Sequence, residues 1–175
     1  MIKVKTLSPA AFSLPMLKVY IIDLLAITFI YFLPALSHLT ALPIYLIEPM
    51  RIAVLFCLIH TNRKNALLIA ISIPIFSLIV SSHPVILKSV LITIELLVNL
   101  LFFYFFIEKT GTFLAMFFSI IYSKFIYYSG KYLLIQMQWI DGDLVSTSLI
   151  IQFAVAVGLS LYAALFYKKV ENIRR

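Results

Sequence analysis

The stretch VILKSVLITIELLVNLLFFYFFI, residues 85–107, is interrupted by only three strongly polar side chains, Lys88, Glu95 and Asn99. A transmembrane helix takes about 20 predominantly apolar residues, so this run is long enough to cross a bilayer. The pattern recurs along the chain. Apolar runs at 19–36, 43–60, 66–81, 112–135 and 144–167 flank it, separated by short polar breaks. Together they occupy most of the 175 residues and leave no length for a soluble catalytic domain. The expected fold is an all-α membrane protein, a six-transmembrane-helix bundle forming a single integral membrane domain over residues 1–175.

Composition leads to the same class. Hydrophobic residues make up 63% of the chain and charged residues 12%, at a mean hydropathy of +1.10. Soluble domains carry about 25% charged residues, so this chain cannot clothe itself in a water-facing surface. A Rossmann unit, a P-loop ATPase and an extramembrane enzyme module are excluded. The chain also lacks a Gly-rich phosphate loop, G-x-S-x-G, H-E-x-x-H and paired-Asp motifs, and no enzymatic activity is expected. His38 and His83 fall in connections without metal-ligand spacing, so neither a metal nor another cofactor is expected. Cys57 is the sole cysteine and precludes an intramolecular disulfide.

The net charge of +7 would suggest a nucleic-acid partner in a soluble protein, but its distribution reports orientation instead. Lys3, Lys5 and Lys18 precede the first run, Arg63 and Lys64 follow the second, Lys109 follows the fourth, and Lys168, Lys169, Arg174 and Arg175 follow the sixth. Ten of the 14 basic residues thereby fall on one side, while the connections 37–42, 82–84 and 136–143 contain none. The positive-inside rule places both termini in the cytoplasm and those three connections outside, which requires an even number of spans; the expected location is the cell membrane. The first run is longer than a signal-peptide core of about 7–15 residues and contains Asp23, so it is expected to remain as a helix.

Two runs depart from a simple lipid-facing span. The second is broken by Glu48, Pro49 and Arg51, and the third is short with Pro74 inside it. Both are expected inside the bundle, where neighbouring helices can satisfy freed backbone groups. Tyr127, Tyr128, Tyr132 and Trp139 cluster where the fifth run would reach an interface.

Ionisable groups within a membrane span are costly and therefore mark candidate functional residues. Lys88, Glu95 and Asn99 recur at i, i+7 and i+11 and share one stripe of the fourth helix. Glu95 lies about 10 Å deeper than Lys88, at a depth that Arg51 also reaches. An Arg51–Glu95 pair is expected, acting either as a structural clamp or as part of a substrate site. Lys124, Tyr128 and Lys131 form a second stripe on the fifth helix, although Lys131 also suits snorkelling to the interface. Lys124 is too central for that and is expected to face the bundle. The outer loop contributes Gln136, Trp139, Asp141 and Asp143; Asp143 is expected to cap the sixth helix, in which Gln152 would point inward. Asp23 is expected to pair with a neighbouring lysine. The candidate substrate-binding set is thus Lys88, Glu95, Asn99, Tyr128, Lys131, Gln136, Trp139 and Gln152, with Arg51 beside Glu95.

Several short elements resemble the S component of an energy-coupling factor (ECF) transporter. They are Leu33-Pro34-Ala35, Leu42-Pro43-Ile44 leading into Glu48-Pro49-Met50-Arg51, the Arg63-Lys64-Asn65 turn, Pro74 with Ser77, Ser82-His83-Pro84, and Glu95-Leu96. The resemblance covers residues 33 to about 132 and implies a multi-pass protein of a bacterial-type cell membrane. It implies a protein that captures a vitamin-like, water-soluble ligand from the outer face and docks on a transmembrane coupling protein driven by two ATPase subunits. The ligand would lie between helices four, five and six and the first and third outer loops. Two positions depart from the family pattern: Ile30 follows Ala26 where many S components repeat alanine, and His83 precedes Pro84 where glycine is common. Small residues at that spacing occur instead at Ala66 and Ala70, and at Ala154 and Gly158. The alternative is a non-catalytic membrane scaffold of a cell-envelope or cell-shape complex, its polar stripes serving as interhelical glue.

Overall fold

The computed structural model describes residues 14–41, 43–80 and 86–174, with side chains described over 16–41, 43–79 and 86–167. Among the described residues six α-helices follow one another: α1 Leu14–Thr40, α2 Pro49–His60, α3 Arg63–Val80, α4 Ile86–Ile107, α5 Thr112–Gln136 and α6 Leu149–Arg174. A single 3-10 turn, Ile44–Ile47, precedes α2, and no strand occurs among the described residues. Four helices, α1, α4, α5 and α6, are long and apolar enough to cross a membrane. The expected connection 82–84 with His83, the basic residues Lys3, Lys5 and Arg175, and the side chains of Lys168, Lys169 and Arg174 lie outside the described residues.

The helix boundaries follow local chemistry. The run expected as one helix over 43–60 is divided at Glu48, which adopts φ 56° and ψ 58°. Pro49 explains the division: proline disfavours the right-handed helical region for the residue before it, and at the first helical position its missing N–H costs nothing. What remains is a 12-residue α2, about 18 Å long at ~1.5 Å per residue. That is shorter than a hydrocarbon core of about 30 Å, so hydropathy alone overstated this element. Asn62 starts α3 three residues earlier than expected, because its Oδ1 accepts the Asn65 N–H at 2.9 Å. Pro74 is accommodated inside α3, and Ser89 of α4 donates to its carbonyl at 2.9 Å. The sixth helix begins at Leu149 rather than 144, its first backbone bond running from Gln152 N–H to Ser148 C=O at 3.1 Å. Asp143 therefore lies outside the helix and does not cap it.

Packing closes the bundle into a ring in which α2, α3, α4, α5 and α6 touch in order and α6 returns to α2. The first helix lies outside the ring, against α2 and α3. The short α2 is the most enclosed element, burying Ala53, Val54, Leu55, Cys57, Leu58 and Ile59. Ala66 and Ala70 are fully buried, so that pair is internal packing, whereas Ala154 and Gly158 are exposed. Helices α4 and α5 approach closely at Gly130, where an added Cβ would lie 2.8 Å from Leu91 Cδ2. Because that methyl ends a flexible side chain, Gly130→Ala should change stability by less than about 1 kcal/mol, its clash offset by better helix propensity. Gly130→Leu has no such escape and should cost about 1–3 kcal/mol in thermal melts in detergent.

Cys57 is 0% exposed. Folded protein should therefore resist a membrane-permeant maleimide and react after denaturation in SDS, as a thiol needs access to be attacked.

Candidate functional site

Short connections at residues 61–62 and 108–111 make successive helices antiparallel, so the start of α2, the start of α4, the end of α5 and the start of α6 share one end of the bundle. Four ionised side chains converge within that half. Arg51 of α2, 3% exposed, donates from Nη2 to Glu95 Oε1 of α4. Its Nη1 lies 2.6 Å from Glu48 Oε2, one helical turn away at i−3. Lys124 of α5 pairs with Glu48 Oε1 and stands 4.0 Å from Glu95 Oε1. Two cations and two carboxylates thus link three helices and a turn with no net charge. The positive φ at Glu48 aims its carboxylate at both cations. Such a backbone conformation costs about 1–3 kcal/mol in a non-glycine residue, and the surrounding ion pairs hold it.

A neutral layer lies deeper. Asn99, one turn below Glu95, donates to Ser119 Oγ of α5 at 2.8 Å, and Ser119 donates to the Met116 carbonyl at 2.8 Å. These bonds satisfy a buried amide that would otherwise be expensive.

Nearer the end of the bundle a third set secures the connection between α5 and α6. Lys131 is 6% exposed and donates to the backbone carbonyls of Asp143 at 2.6 Å and Leu144 at 3.0 Å. It does not snorkel. Tyr128 donates to Gln152 Oε1 at 2.9 Å, and Gln152 Nε2 donates to the Thr147 carbonyl at 2.8 Å. Gln152 points inward, as chemistry favours. By contrast Lys88, Gln136 and Trp139 are exposed, so the expected stripe of α4 is divided between an outward-facing Lys88 and buried Glu95 and Asn99.

The opposite end carries its own polar group. Asp23 of α1 accepts Asn65 Nδ2 of α3 at 2.6 Å, rather than a lysine, and Asn65 also donates to Thr61 Oγ1 at 3.2 Å. His60 bonds Tyr162 of α6 at 2.8 Å, and Arg63 sits 4.3 Å from the Tyr104 ring centroid. Among the described residues no three of His, Cys, Asp and Glu gather as metal ligands would.

Two residues carry more of the site than the sequence indicated. Glu48 read as an interruption of a span and as part of a short resembling element, not as a partner of Arg51, although Glu-Pro-x-Arg is itself an i, i+3 charge pair in an apolar setting. Ser119 gave no signal, since a serine in a helix binds its own turn as readily as a neighbour.

Among the described residues, open cavities flank the bundle at two places. One, about 240 Å³, runs between α3 and α4 beside Ile75, Leu78, Ser89 and Thr93; the other, about 490 Å³, lies beside Ser37, His38, Pro43 and Tyr45. Neither is lined by Lys88, Glu95, Lys131 or Trp139. The chain matches no protein-family model, no curated protein and no solved structure.

Proposed function

We propose that the chain is a substrate-capturing membrane subunit of the S-component type, without catalytic activity, that takes a small vitamin-like molecule from the outer face of a bacterial-type cell membrane. In this reading all six helices belong to the membrane domain, both termini are cytoplasmic, and energy comes from a coupling protein with two ATPase subunits. The observation that carries it is the quartet of buried Arg51 and Glu95 with half-buried Glu48 and Lys124. Desolvation offsets most of the attraction in a buried ion pair, so four charges kept for stability alone bring little over apolar packing. A strained glutamate at their centre is the kind of feature that persists where it serves function. Tyr128, Gln152 and Lys131 sit in the same half of the bundle and add aromatic and hydrogen-bonding groups suited to a heterocyclic ligand.

The second reading, a membrane scaffold, is favoured by one specific observation: the quartet, the Asn99–Ser119 pair and Lys131 are bonded to other groups of the chain, and neither flanking cavity reaches them. Mass spectrometry of small molecules released from protein purified in mild detergent separates the two. Stoichiometric recovery of a water-soluble nutrient, with co-purification of an ATPase-bearing module, is expected. Repeated recovery of ligand-free protein bound instead to cell-envelope proteins would favour the scaffold.

A further inference from the structure

One member of the quartet differs from the rest. Arg51, Glu95 and Lys124 project from helices, whereas Glu48 belongs to the turn ahead of α2 and reaches them through its left-handed backbone, φ 56° and ψ 58°. Its carboxylate lies between both cations, 2.6 Å from Arg51 Nη1 and paired through its other oxygen with Lys124 Nζ. The 12-residue α2 begins at the same point. Its first intrahelical bond is Ile52 N–H to Glu48 C=O, so the Met50 and Arg51 amides precede the ladder. Arg51 Nε is buried and has no hydrogen-bond partner among the described residues.

A guanidinium, an ammonium and a helix N-terminus around one carboxylate are the means by which proteins hold an anion. Here the anion is the chain's own. Resting on the capture reading above, we infer that Glu48 is a displaceable stand-in for the carboxylate of the ligand, which is a small organic monoanion clamped by Arg51 and Lys124. Charge arithmetic sets the valence. With Glu48 in place the quartet is neutral; with Glu48 swung to the aqueous side, Arg51, Lys124 and Glu95 retain one net positive charge. A monoanion restores neutrality, a neutral ligand strands a buried cation, and a dianion strands a buried negative charge. Release of the strained φ at Glu48 offsets part of the cost of leaving. The cleft beside Pro43 and Tyr45 gives the turn room to move. The Tyr128 ring, 6.0 Å from Lys124 Nζ, provides an aromatic face beside the clamp.

The test uses the full chain in detergent with benzoate as the probe and benzamide as its uncharged counterpart, read by thermal stabilisation. Benzoate should stabilise the wild type and benzamide should not. In Glu48→Gln the competing carboxylate is gone, so half-saturation by benzoate should fall about tenfold, equivalent to ~1.4 kcal/mol. Lys124→Met should lose the response. Equal effects of benzoate and benzamide, or loss of the benzoate response in Glu48→Gln, would overturn the inference. If Glu48→Gln does not fold, the benzoate–benzamide comparison on the wild type decides alone. The capture reading fails separately: a released nutrient without an acidic group would retain capture and sink the stand-in, while benzoate selectivity without any captured nutrient would do the reverse.

Discussion

Replacing Glu95 by leucine is expected to destabilise the protein by about 3–5 kcal/mol, the range for removing one partner of a buried ion pair. Arg51 is 3% exposed and cannot turn to water when Glu95 is lost. Glu48 would be left to serve both Arg51 and Lys124, two cations against one carboxylate. The double variant Arg51→Met, Glu95→Leu should behave differently. It removes one charge of each sign and leaves Glu48 and Lys124 as a neutral pair, so most of the loss should be recovered, to within about 1–2 kcal/mol of the wild type. A double-mutant cycle from reversible SDS unfolding, completed with Arg51→Met alone, gives the coupling directly, expected above the ~0.5–3 kcal/mol range usual for contacting residues because each single variant strands a buried charge. A single Glu95→Leu variant as stable as the wild type would mean that the pair contributes nothing to the fold. Glu95→Gln separates the remaining possibilities, since it keeps a hydrogen-bond acceptor but removes the charge.

The Arg51–Glu95 pair was legible in the sequence because two opposite charges in apolar runs at equal depth have few affordable states other than each other. The long apolar helices were legible because a helix satisfies every backbone group within itself, whatever surrounds it. The length of α2 was not. Hydropathy sums side chains and cannot distinguish an 18-residue span from a 3-10 turn, a left-handed glutamate and a 12-residue buried helix. Nor could it assign the partners of Lys131 and Asp23. Backbone carbonyls at Asp143 and Leu144 exist whatever the side chains are, and the neutral amide of Asn65 carries no charge to draw attention to Asp23.

Viewed together, these contacts make α2 the element shared by both polar layers. Arg51 joins the charged quartet near its start, and Cys57 in its last turn and Thr61 just past its end adjoin the Asp23–Asn65 group. The ten-residue rise from Arg51 to Thr61 is about 15 Å. Through α2 the Glu48 turn is thus joined to Asp23 of α1 and Asn65 of α3 at the opposite end of the bundle.

Lys131→Met should release the connection 137–148 while leaving the bundle folded. This connection has no regular secondary structure of its own, and three of its carbonyls, at Asp143, Leu144 and Thr147, are held by side chains from α5 and α6. Long irregular connections in a compact protein are usually functional, and this one is fastened by specific bonds rather than by packing alone. Ile140, 7% exposed, is its apolar anchor. Methionine keeps the apolar stem of lysine, so core packing is preserved while both charged hydrogen bonds disappear. Bonds to charged donors are worth about 1.5–3 kcal/mol each, and losing two that share one ammonium should cost about 3 kcal/mol locally. At ~1.4 kcal/mol per decade, that predicts amide exchange in residues 140–148 faster by roughly a hundredfold. Exchange in α6 should stay near wild-type values, and Lys131→Arg should retain most of the protection because it keeps the charge and its donors. Hydrogen-exchange mass spectrometry in detergent or nanodiscs reads both regions in one experiment. Unchanged exchange at 140–148 in Lys131→Met would show that Ile140 and Gln152 hold the connection without the lysine. Exchange rising equally in α6 would show that Lys131 supports the bundle as a whole rather than acting as a local latch.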